Sequence, residues 1–297
     1  MKKTIICQGR KLSTDDLDWL KTLIKDHPTW TRHGLCKEIC HYWQWRTATG
    51  QLKTFAARSL LLKLEQRDLV KLPLLRTSMI RPERKPAAGL KTVPDKHPIT
   101  TSLAKLQPLK IVVPQKGSQE NQRFEYYLLH HHYLSFNRTV GENIKYLIQD
   151  RFGRDLGCVL FGSAAWKTED RDRFIGWSDT ARQQNVNFMT NNTRFLIFPW
   201  ITVPHLASHV LGLVLRRLNR DWLGKYGHSL YLVETFVDRS RFKGTCYKAA
   251  NWIRTGQTKG RSRQDRYSKL KVPIKDIYLY PLVSGFKNKL SELRATS

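Results

Sequence analysis

Six of the twelve prolines (Pro82, Pro86, Pro94, Pro98, Pro108 and Pro114) fall within one stretch of 33 residues, 82–114. Proline lacks a backbone N–H and fixes its own φ, so neither a continuous helix nor a central strand runs through such a cluster. The stretch is also rich in Lys, Thr and Gln and has no sustained apolar period. It reads as a semi-extended linker or a loosely draped arm. The 297-residue chain therefore divides into a small module at 1–80, an arm at 81–122 and a larger module at 123–297.

The small module reads as three helices. Ser13 is placed to cap the first, Asp16 makes its first turn acidic, and Leu17, Leu20 and Ile24 form its apolar stripe until His27-Pro28. The second runs from about Arg32 to Trp43. Thr54 is expected to cap the third, where Leu60, Leu61 and Leu64 turn inward and leave Lys53, Arg58 and Lys63 free. Residues 69–73 then read as a short strand. Three helices and a strand make a winged helix-turn-helix, whose third helix reads the major groove.

The large module alternates. Strands are expected at 141–148, 156–161, 194–199, 229–237 and 276–282, with helices at 174–184, 204–226 and 245–251. Interleaved strands and helices indicate an α/β or α+β sheet. His130, His131 and His132 adjoin an apolar run; on a strand, 130 and 132 would share a face.

Charge narrows the function. The chain has 52 Lys and Arg against 24 Asp and Glu, a formal net charge of +28. Residues 239–271 hold eleven bases and one acid, Asp265. A field this concentrated fits a polyanion, since each base that meets a phosphate releases a counterion. No apolar run is long enough to span a membrane and the start lacks a secretory pattern, so a cytoplasmic protein is expected. Five widely spread cysteines fit reduced thiols, and the spacing of Cys36 and Cys40 fits one buried helix face rather than a metal corner.

Several residues are candidates for chemistry. Glu234 and Asp238 share a strand face by alternation, where paired carboxylates hold Mg²⁺ or share acid–base work; equally, Glu234 pairs with an Arg such as Arg194 and Asp238 caps a turn. Tyr247 and Asn251, four apart on a short helix, point a phenol and an amide into one cleft or simply pack and cap. Trp252 beside Arg254, Lys259, Arg261, Arg263 and Arg266 is placed to stack a base while cations hold its phosphates. No P-loop or zinc-hydrolase motif is present, and no resident metal is expected.

The order strand, loop, long helix, strand, short helix with Tyr247, then arginine-rich hairpin looks like the second half of the GNAT acetyltransferase fold. That resemblance implies acyl-CoA pyrophosphate at the start of the helix after the strand at 194–199, with Tyr247 as acid toward the departing thiolate. The loop Val203-Pro-His-Leu-Ala-Ser208 departs from it by containing no glycine. Nearly the whole chain also resembles the DruA family of bacterial Druantia anti-phage systems, a domain found with transposases too. The matching segments include His131-His-Tyr-Leu134, Arg171-Asp172, Ile175-Gly-Trp-Ser178, Arg194-Phe-Leu-Ile-Phe-Pro199, Glu234-Thr-Phe-Val-Asp238 and Gly244-Thr-Cys-Tyr-Lys-Ala-Ala-Asn-Trp252. Membership implies a defence role and a large helicase-like partner. Three readings follow. The chain grips duplex or single-stranded DNA; or it is a nucleic-acid-modifying group transferase using Tyr247 and Glu234; or it is a metal-dependent nickase or strand-transfer factor using Glu234 and Asp238.

Overall fold

The computed structural model describes residues 5–7, 10–47, 49–73, 96–136, 138–260 and 273–293. They form two compact units, 1–85 and 86–297.

In the first unit an antiparallel hairpin of β1 (Ile5–Cys7) and β2 (Arg10–Leu12) leads into α1 (Thr14–Asp26), α2 (Arg32–Tyr42) and α3 (Thr54–Glu65). Ser13 closes a capping box with Asp16, and Thr31 caps α2 by accepting from the Gly34 N–H, so two helices begin where free N–H groups find a side-chain oxygen. α3 differs from expectation: Lys53, not Thr54, occupies the capping position, and no side chain bonds there. Leu12, Leu20, Leu35, Ile39, Leu60 and Leu64 form the core. Cys36 and Cys40 are buried in it, and burial pushes both thiols up to about 11, while His41 is exposed. The strand expected at 69–73 is absent. Val70 and Leu72 are buried instead, the Leu72 N–H donates to Glu65 (3.2 Å), and Arg32 holds the Pro73 carbonyl (3.0 Å). Side chains of α2 and α3 thus take the polar groups that a partner strand would have bonded.

The second unit runs β3 (Ile99–Thr100), α4 (Leu103–Leu106), β4 (Lys110–Val112), α5 (Gln119–His131), β5 (Ile144–Gln149), β6 (Asp155–Ser163), α6 (Glu169–Ile175), α7 (Asp179–Asn185), β7 (Met189–Ile197), β8 (Ile201–Thr202), α8 (Leu206–Tyr226), β9 (Leu232–Asp238), α9 (Thr245–Ala249), β10 (Ile253–Gln257), β11 (Lys275–Pro281) and α10 (Phe286–Ser291). Seven strands form one mixed sheet in the order β10-β11-β9-β7-β6-β5-β4. Within this sheet β7 and β9 pair in parallel and the other neighbours antiparallel; long α8 is the crossover between β7 and β9. Helices cover both faces. α5 and α8 pack one core with Phe124, Val210, Val214, Leu218 and Trp222, and α6, α7 and α10 pack another with Ile175, Ala181 and Leu290.

Three expectations change here. The described part of the arm, residues 96–122, belongs to this unit: β4 is the sheet's edge and β3 pairs with β8. An edge strand tolerates flanking prolines because only one side of it is bonded. The histidine run ends a helix, α5, rather than lying on a strand, so 130 and 132 do not share a face. The helix expected at 174–184 is two, broken at Gly176 in a left-handed turn (φ 84°), with Ser178 capping the second.

Candidate nucleic-acid interface

β7 and β9 stay paired only from Met189–Asn191 against Leu232–Glu234, and then diverge. A cleft of about 630 Å³ opens at this fork. Its base is built by Asn192. In β6–β7 the register shifts so that Phe161 faces Asn192 but Leu160 faces Arg194, leaving Thr193 as an extra residue. Such a bulge re-aims side chains. The Asn192 amide donates to the Leu160 and Arg194 carbonyls (both 3.1 Å), its oxygen accepts from the Tyr247 hydroxyl (2.7 Å), and Thr235 donates to the Asn192 carbonyl (3.0 Å).

The walls are aromatic and basic. Tyr133, Phe195, Phe242 and Tyr247 line the cleft together with Arg194, Lys243 and Lys275, and no Asp or Glu is among its lining residues. Arg194 is fixed by donating to the carbonyls of Ser135 (3.0 Å) and Thr193 (2.7 Å), and Arg241 lies 5.2 Å from the Tyr133 ring centre. Burial pushes His132 down to about 4, with Arg194 adding to the shift; its Nδ1 accepts from the Leu134 N–H (3.1 Å). Gly244 sets α9 beside the cleft: its φ is +68° and an added Cβ would lie 2.6 Å from the Tyr278 hydroxyl, so no other residue fits.

The candidates for chemistry separate. Glu234 is wholly buried and does not line the cleft; it accepts from Arg171 (2.8 Å) and the Ala165 N–H (2.6 Å). Burial raises its pKa, and the Arg171 guanidinium opposes the rise. Tyr247 packs in the core on the opposite face of β9, alongside Val233 and Val237, whereas Glu234 meets α6. Adjacent strand residues point to opposite faces, so Glu234 and Tyr247 do not act on one substrate. The Tyr247 phenol is buried, its pKa is raised mainly by that burial, and its proton is directed at Asn192. Asp238 caps a turn, accepting from the Ser240 N–H (3.0 Å) and hydroxyl (2.7 Å), which hold its carboxyl below the usual range. Four residues of strand span roughly 13 Å, so Glu234 and Asp238 do not converge on one Mg²⁺. Among the described residues no group of three or more His, Cys, Asp or Glu is placed to hold a metal.

Asn251 lies beyond the end of α9, exposed and left-handed (φ 61°), and does not line the cleft. α9 ends at Ala249, so the four-residue spacing to Tyr247 no longer defines a face. Trp252 is buried against Tyr247 (5.1 Å) and Tyr280 (5.7 Å) and is core rather than a stacking platform. Arg254 is exposed and pairs with Asp276 (2.8 Å), and Lys259 pairs with Glu169. Arg261, Arg263 and Arg266 lie outside the described residues. Arg58 and Lys63 are exposed on α3, whereas Lys53 is half-buried with its pKa lowered by that burial. Acyl-CoA is poorly matched. At the start of α8 His205 is left-handed (φ 62°) in a glycine-free loop, and the Leu206 N–H is already bonded to the Val203 carbonyl. No acyl-transfer step is assigned to this cleft.

The family model described as Druantia protein DruA matches residues 63–272, more than half of the chain. The chain belongs to the DruA family. The match spans the fork, the Arg171–Glu234 pair and α9, and it ties the chain to Druantia anti-phage defence. No curated protein matches the sequence. Among solved structures, spermidine N-acetyltransferase from Vibrio cholerae in complex with CoA and spermine is similar at 10% identity, covering 59% of this chain and 95% of that one with a TM-score of 0.36. A dodecameric structure of the same enzyme in an intermediate state is similar at 8% identity, covering 59% and 94% with a TM-score of 0.35. Likeness this loose carries no conclusion about the chemistry of a DruA-family chain.

Cleft residues such as Tyr133, Phe195, Phe242, Lys243 and Lys275 were not singled out by sequence reasoning. They come from four separate segments, and only the fork unites them. The available signal was the pattern Arg239–Lys243, in which bases surround one aromatic.

Proposed function

We propose that this DruA-family chain is the nucleic-acid-gripping component of an anti-phage defence system or a related mobile element. The observation that carries the reading is the forked cleft, lined by aromatic rings and cations, with no Asp or Glu among its described lining residues. Rings offer every base a stacking face, and cations beside them attract phosphate; Asp238, paired across the strands with Lys275 and close to Arg241, offsets part of that charge. The exposed Arg58 and Lys63 on α3 suit contact with duplex DNA, whereas the charges of Arg254 and Lys259 in the second unit are shared with Asp276 and Glu169. The formal charge of +28 supports the same partner.

The test is fluorescence anisotropy with single- and double-stranded DNA across a salt series. Replacing Lys243 and Lys275 together with Ala is expected to weaken single-strand binding and to flatten the log–log salt slope by roughly 0.7 per lost contact. A slope identical to that of the unaltered protein would exclude the cleft as a phosphate seat. Failure to bind any DNA at low ionic strength would remove the reading altogether.

A further inference from the structure

The β5–β6 hairpin presents an aromatic ring to solvent at its tip. Phe152 is 68% exposed and stands between Arg151 and Arg154 in a five-residue turn. Large apolar side chains in a tight polar turn are costly to leave in water. The turn is nevertheless rigidly built. The buried carboxylate of Asp150 accepts from the N–H groups of Phe152 and Arg154 (both 2.9 Å) and from the Arg154 guanidinium (2.7 Å). Gly153, with φ +81°, returns its N–H to the Asp150 carbonyl (3.0 Å), and the Arg151 N–H reaches back to the Leu106 carbonyl (3.0 Å). The bonds fix the backbone that carries the ring, which lowers the ordering cost that a partner would otherwise bear.

The surroundings specify the partner's chemistry. The Arg151 and Arg154 guanidiniums lie 5.5 and 5.3 Å from the ring centre, and a neighbouring hollow of about 470 Å³ is lined by Thr100, Thr101, Lys105, Phe152 and both arginines. One of these positive charges is offset by Asp150; the remainder complement an anion beside a flat apolar surface. We propose that Phe152 is a stacking platform for an unpaired base of a nucleic-acid strand, with Arg151, Arg154 and Lys105 receiving the flanking phosphate. This rests on the nucleic-acid reading above and adds a contact point distinct from the forked cleft, with which it shares no lining residue.

The experiment measures binding of a single-stranded oligonucleotide, and of the same strand with abasic sites, to the full chain and to Phe152→Ala and Phe152→Trp. Stacking predicts that Phe152→Ala weakens binding of the base-containing strand about five- to a hundredfold, leaves the abasic strand unaffected, and keeps the salt slope. Phe152→Trp should retain the affinity. Thermal unfolding of the variants confirms that they fold, since the ring has little packing to lose. Equal affinity of Phe152→Ala for the base-containing strand, or an equal loss on both strands, overturns the stacking role while leaving DNA binding intact. Absence of binding by the unaltered chain overturns both readings together.

Discussion

At the scale of single residues, the charges buried in this protein do structural work. Arg171 is wholly buried and is held by Glu234, by Asp172 (2.8 Å) and by the Ala165 carbonyl (2.6 Å). Removing one member leaves the other charged in a low-dielectric site, which typically costs about 3–5 kcal/mol. Glu234→Gln is therefore expected to lower the unfolding free energy, measured by denaturant titration, by an amount near the lower end of that range, while the folded fraction keeps its DNA affinity. A variant that stays stable but loses function would restore a catalytic role to Glu234. His132 makes a second prediction. It is neutral in the fold because burial lowers its pKa to about 4, so below its ordinary pKa of about 6.5 the unfolded chain binds a proton that the folded chain refuses. The His132 contribution to stability should fall as the pH drops from about 6.5 to 4, by up to about 3 kcal/mol, and change no further below that. Comparing chemical denaturation of the protein and of His132→Gln across this range checks it: the substitution should remove that portion of the acid sensitivity.

At the scale of elements, the proposed grip on nucleic acid falls to α3 and the fork. Phe55 is 72% exposed near the start of α3, beside Arg58 and not far from Lys63, and the inward face of the helix is filled by Ala57, Leu60, Leu61 and Leu64. If α3 enters the major groove, Arg58→Ala should cost about 1–3 kcal/mol on preferred sequences and level the differences among sequences. Equal weakening on all duplexes would confine Arg58 to phosphate contact. The periodicity of apolar residues made α1, α2 and α3 legible, as it did α8, whose observed bounds of 206–226 sit within the expected 204–226. Short apolar runs located β5, β6, β9, β11 and the last part of β7. The capping oxygen of Ser13 is local, so a helix start that uses it can be read from a few residues; the cap at Ser178 escaped because the apolar run crosses Gly176 without a break. The two edge strands, β4 and β10, escaped because three to five residues with mixed exposure hold no usable period; their partners define them.

At the scale of the whole molecule, the charge excess of +28 bears on stability and on the proposed partner. Like charges repel across a compact fold, and added salt screens the repulsion within about 10 Å at 0.1 M. The melting temperature of the DNA-free protein is thus expected to rise as salt increases from about 10 to 200 mM, and a saturating oligonucleotide should raise it most at the low-salt end. Calorimetry in the two conditions tests this; a melting temperature indifferent to salt would mean that the bases are already neutralised within the fold. Local ion pairs such as Arg254–Asp276 and Arg123–Asp155 offset only part of the excess, because the chain has 24 acids to set against 52 bases.

Composition, period and order of motifs were enough to establish a basic two-unit chain, a three-helix first unit, a mixed α/β second unit and membership of the DruA family. Those properties depend on near neighbours in sequence or on sums over the chain, which folding does not alter. Which side chains meet was decided only by the tertiary structure. Glu234 pairs with Arg171 rather than converging on Asp238, Trp252 is buried rather than offered to a base, and Tyr133, Arg194, Phe242 and Lys275 come together where two parallel strands part. Contacts across the fork join residues more than a hundred positions apart, and no local pattern encodes a distance that exists only after the sheet has formed.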